Sequence, residues 1–189
     1  MSSDNPSSDQ YRTLTLEAFA DTFVPGEKRA ADDRAIAGAA VGPGAVAAGA
    51  LELLQTPATG VSYGLDDLVK ALNEHARNYA ASRGLNLDDS VPEYVAMSYA
   101  DRAGLIRTLI APEHPERDIW ILVALFCFMA FDTAAHMHTT EAIAAGHPGL
   151  TMMGFAEPDP DGLWRFTDYS YGRPLASLHP GTTEAGDPA

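Results

Sequence analysis

The chain has one cysteine, Cys127, so no internal disulfide can staple it and no cysteine cluster can hold zinc or an iron–sulfur group. It is also short of positive charge. Twelve Lys and Arg stand against 26 Asp and Glu, a formal net charge of -14. The basic residues are scattered singly apart from Lys28-Arg29. That excludes the clustered cationic surface needed to bind nucleic acid, and the same repulsion disfavours an anionic membrane. No apolar run reaches the roughly 20 residues of a membrane-spanning helix. The longest, Ile119–Phe131, has thirteen, and Asp132, His136, His138 and Glu141 follow at once. The first ten residues lack a basic start, an apolar stretch and a twin arginine, so the expected location is cytoplasmic. Neither a G-x-S-x-G elbow nor an H-E-x-x-H pair is present.

What the chain does have is that apolar run. Its β-branched and aromatic residues would suit a buried strand, but no other strands are on offer to pair with it, so a helix is expected over Asp118 to Gly146. Thirteen apolar residues in succession leave no polar face, which predicts a helix covered on all sides. Cys127 lies inside it and reads as a small buried hydrophobe.

With 189 residues the chain has the length of one domain. The expected fold is mainly α, a single-domain helical bundle around the buried central helix, with an irregular aromatic-rich C-terminal segment. Residues 1–12 are polar and read as a disordered tail, 13–175 as the domain and 176–189 as a loose end. Leu14, Leu16, Phe19, Ala20 and Phe23 recur at helical spacing before Pro25-Gly26. Ala45 to Gln55 is a second, small helix after the breaker Gly42-Pro43-Gly44, whose glycines have the wrong spacing for a nucleotide loop. Leu65 to Arg83 is the clearest amphipathic helix, a short one opens near Pro92, and Ser98 with Asp101 caps another over Tyr99 to Ile110. Beyond Gly146 no helical period is recoverable, and Phe155, Trp164, Phe166, Tyr169 and Tyr171 concentrate there. Such rings wrap either the chain's own core or a partner.

Asp132 and His136 are four apart and would share a helical face, which suits either an acid–base dyad or a buried Asp paired for structural reasons. His136 and His138 cannot point from one helical face unless the helix breaks near Thr139-Thr140, so with Glu141 and His147 they are weak candidates for a metal. His75 reads as a surface or half-buried side chain. One function consistent with these residues is a stand-alone helical enzyme using Asp132 and His136 on a small molecule, in a pocket closed by the aromatic tail.

A second function comes from a resemblance. Leu16–Pro25, Gly42–Gly49 and Gly149–Phe155 follow one another as do the motifs of the gluconate 2-dehydrogenase subunit 3 family and related uncharacterised actinobacterial small proteins, which the chain resembles from residue 14 to about 160. Leu150 stands where that family often has Trp. The resemblance implies a non-catalytic small subunit that binds a larger flavoprotein of the glucose-methanol-choline (GMC) type and supports its maturation. The flavin, FAD, would belong to the partner, with no cofactor in this chain. Many members carry a twin-arginine signal; this sequence shows none, which leaves, as what the resemblance implies, a cytoplasmic accessory role such as one beside a tailoring oxidoreductase of secondary metabolism. Pro148 to Pro174, with Phe155, Trp164, Phe166, Tyr169 and Tyr171, is the expected partner contact.

Overall fold

The computed structural model describes residues 8–155. Trp164, Phe166, Tyr169 and Tyr171, like the expected loose end at 176–189, lie outside them. Eight α-helices and two short 3-10 turns pack together, with no strand among the described residues, as the composition and periodicity indicate. None of these helices is long and apolar enough to cross a membrane.

The first helix, α1 (Ser8–Phe23), begins earlier than the polar composition of its first residues suggests. Tyr11 accounts for part of this, since its hydroxyl donates to Glu93 at 2.8 Å and ties the first turns to a later helix. From Thr15 to Thr22 every residue of α1 is buried. It touches α2 (Ala50–Gln55), α3 (Leu65–Arg83), α4 (Glu93–Ala96), α5 (Tyr99–Leu109) and α6 (Arg117–Thr133), so it is enclosed on all sides. Leu16 and Phe19 supply apolar area, and the Phe19 ring lies 4.9 Å from Phe23 and 6.0 Å from Trp120.

The polar residues of α1 are tolerated inside because each has partners. Thr15 Oγ1 donates to the Tyr11 carbonyl and accepts from Asn73 Nδ2 at 3.1 Å, while Asn73 Oδ1 accepts the Tyr94 N–H at 2.9 Å. The Thr22 and Tyr94 hydroxyls meet at 2.9 Å. Asp21 accepts the N–H groups of Gly26 and Ala37, yet desolvation by burial still holds its carboxyl above the ordinary range. Glu17 receives Arg29 through both carboxylate oxygens.

Helices α3 and α5 follow their sequence signals closely. α3 spans Leu65–Arg83 and closes on Gly84 in the left-handed region, and Ser98 caps α5 by accepting the Asp101 N–H. On α5, Arg102 is 3% exposed and donates to the carbonyls of Arg34, Ala35, Tyr94 and Val95. One guanidinium therefore fastens both α4 and the loop at Arg34–Ala35 to α5.

The central apolar stretch departs from expectation in two ways. α6 stops at Thr133 instead of running to Gly146. Ala134 turns left-handed at φ 49, and the chain continues as α7 (Thr139–Ala144) and α8 (Pro148–Met153). A left-handed alanine costs about 1–2 kcal/mol. Burial of Ala134 with Ala142 and Leu150 offsets it. α8 is also a helix where no helical period was legible; Pro148 sits in its first turn and His147 caps it. The second departure is that α6 is covered on one side only. Trp120, Val123, Ala124, Cys127 and Ala130 face the core, and the opposite side is open.

Candidate functional site

The open side of α6 carries Leu122, Leu125, Phe128 and Met129, exposed by 39%, 49%, 41% and 40%. Leu122, Leu125 and Met129 stand at i, i+3 and i+7 and so form one stripe along the helix. Isolated exposed leucines are ordinary, but an aligned row of large apolar side chains is not. At its N-terminal end the stripe meets an open cleft of about 590 Å3, walled by Leu68, Ala71, Ile119, Trp120 and Leu122. Asp67, which also lines the cleft and pairs with Lys70, and Asp118, one turn before Leu122 and paired with Arg117, give this end a charged rim of both signs. Near the other end, α8 packs on α6 and contributes exposed Met152, with exposed Phe155 just beyond it. Phe155 is the one expected partner-contact residue that falls within the described chain, and it is available at the surface.

The sequence reading took Leu122, Leu125, Phe128 and Met129 to be core. Uniform hydrophobicity erases the contrast by which an amphipathic pattern assigns faces, so no periodic signal distinguished Leu125 from Val123.

Asp132 and His136 do not form the expected pair. Because α6 ends between them, the four-residue spacing no longer spans one helical turn. Asp132 Oδ1 and His136 Nδ1 are both buried without a hydrogen-bond partner. The His136 ring lies against Gly49, which is left-handed at φ 85, and a Cβ there would overlap the imidazole. Desolvation, aided by His147 and opposed by Glu52, lowers the His136 pKa, and the His136 and His147 rings are 5.7 Å apart.

Neither does this corner assemble a metal centre from His136, His138, Glu141 and His147. His147 has both nitrogens engaged, one at 3.0 Å from the Ala48 carbonyl and the other accepting the Leu150 N–H. His138 Nδ1 pairs with Thr140 Oγ1 at 2.8 Å. Cys127 is fully buried, its thiol pushed up to about 12, which suits a hydrophobe and not a nucleophile.

The segments that carry the family resemblance are those that seat α1, α2 and α8 around α6. Gly42–Gly49 lies against the end of α1, with Ala45 N–H donating to Val24 O and Glu27 N–H to Gly42 O, both at 2.9 Å. Gly149 presses on the Phe131 carbonyl so closely that no side chain fits. These motifs place α6 and leave its outer side bare.

No curated protein and no solved structure matches the chain at a significant level. A family model does match, and over residues 10–189 the chain belongs to DUF5987, a family of unknown function.

Proposed function

We propose that this protein is a non-catalytic accessory subunit that docks on a larger GMC-type flavin-dependent oxidoreductase in the cytoplasm and supports its maturation, with FAD held by the partner. The observation that carries the reading is the bare apolar stripe of Leu122, Leu125, Phe128 and Met129, continued into the cleft beside Trp120. Phe and Met are enriched in interfaces over the rest of a protein surface, and a contiguous exposed apolar patch marks an interaction site. The net charge of -14 favours a partner surface with an apolar centre and an excess of Lys and Arg around it. The class of partner comes from the resemblance of Leu16–Pro25, Gly42–Gly49 and Gly149–Phe155 to the gluconate 2-dehydrogenase subunit 3 family.

Co-expression with a flavoprotein encoded beside it, followed by size exclusion, tests this. Leu125→Glu with Met129→Glu should release the partner while the isolated subunit melts within about 0.5 kcal/mol of the wild type, the range for exposed sites. Trp164→Ala with Phe166→Ala should act in the same direction. A wild-type chain that forms no complex with any such flavoprotein sinks the reading.

A second reading, an enzyme using Asp132 and His136, draws on the two buried unpartnered atoms at that corner. It requires His136→Asn to abolish a turnover while unfolding stays cooperative.

A further inference from the structure

We propose that His75, His114 and Glu116 form a binding site for one Zn2+ ion per chain. His75 lies on α3, and His114 and Glu116 flank Pro115 in the loop that leads into α6. The sequence separates these positions by some forty residues, but the fold sets one ligand atom from each within 4.8 Å of the other two. His75 Nε2 is 2.7 Å from Glu116 Oε2, and the His75 and His114 rings meet edge-on at 5.6 Å.

Two imidazoles and one carboxylate are a familiar zinc set, and imidazole donors select against Ca2+ and Mg2+. Three protein ligands leave a fourth position for water or a small oxygen or nitrogen donor. The carboxylate of such a site has an orienting donor. Trp120 Nε1–H donates to Glu116 Oε2 at 3.0 Å and fixes the carboxylate, and the Trp120 ring stands edge-on to His75 at 6.0 Å. The hydrogen bond from His75, supported by Trp120, keeps the Glu116 carboxyl below the usual range, so it is an anion when a cation arrives.

The ligand atoms, now separated by up to 4.8 Å, must adjust to hold an ion. Ligand atoms around tetrahedral zinc lie roughly 3.3 Å apart, given bonds of about 2.0 Å. The His75–Glu116 contact must therefore open by about half an ångström, and the Glu116 side chain, 44% exposed, has room to move. His114 Nδ1 now accepts the Glu116 N–H at 3.2 Å. Binding through Nε2 requires each ring to carry its proton on Nδ1, so both the His75–Glu116 hydrogen bond and the Glu116 N–H bond to His114 are given up. Both rings bind zinc as neutral imidazoles. One carboxylate and one Zn2+ leave the site at +1, which the strongly acidic chain favours.

The test uses the full chain with any histidine tag removed and Zn2+ alone as probe, read by native mass spectrometry and by the visible bands of substituted Co2+. One Zn2+ per chain is expected. His114→Ala and Glu116→Gln should each weaken it by about tenfold or more, and His136→Ala with His138→Ala should bind as the wild type does. A wild type without stoichiometric zinc, affinity unchanged in His114→Ala, or loss of zinc from the His136/His138 variant would each overturn the assignment.

Discussion

His136 shows how a residue's chemistry follows from where the backbone leaves it. Its ring is pressed against Gly49 and faces His147 and Glu52, and desolvation, the largest influence, favours the neutral form. A histidine with a lowered folded-state pKa contributes stability above its unfolded value of about 6.5, and that contribution is lost as pH falls through the folded value. Stability measured in urea should therefore decline as pH drops below about 6.5, and His136→Gln should flatten that decline. An unchanged slope in the variant would assign the proton uptake to another histidine. The helical face expected to carry both Asp132 and His136 ends between them, because the left-handed Ala134 carries no sequence signal. Gly or Asn there would have announced the break.

Among the elements, α8 and its seat on α6 are the most exacting contact. Gly149 has the Phe131 carbonyl where a Cβ would stand, and backbone on both sides cannot yield as a flexible side chain could. Gly149→Ala should therefore cost about 1–3 kcal/mol, the usual range for overpacking. It would be read as a lower urea midpoint at constant m. A loss below about 0.5 kcal/mol would mean that α8 can shift on α6. Elements with a polar-apolar contrast were legible: Leu65–Arg83 was read to the residue, and the Ser98 cap of α5 was recovered from two side chains. Elements whose character depends on tertiary partners were not. α1 is buried through Thr15, Asp21 and Thr22, which a hydrophobic pattern counts as surface, and α6 is open at Leu125, which the same pattern counts as core. The exposed stripe of α6 stayed hidden because its sequence is uniformly apolar, and the His75–Glu116 cluster because its members are not local in sequence.

For the molecule as a whole, the excess of 26 acids over 12 bases means that folding gathers like charge. Raising salt from about 0.01 M to about 0.15 M shortens the screening length from about 30 Å to about 8 Å. The melting temperature should rise as self-repulsion is screened. A fall would show that local pairs such as Arg29 with Glu17 and Asp33 outweigh the net repulsion. The enclosure of α1 bears on how the chain is made. α1 leaves the ribosome before every helix that covers it: Thr15 meets Asn73, 58 positions downstream, and Phe19 meets Trp120 only after α6 exists. Until α2 to α6 emerge, Leu16, Phe19 and Phe23 lack the full set of partners they bury against. Folding is thus held back to a late, concerted step dominated by long-range contacts, and the nascent N-terminal helix is the segment a chaperone has most reason to hold.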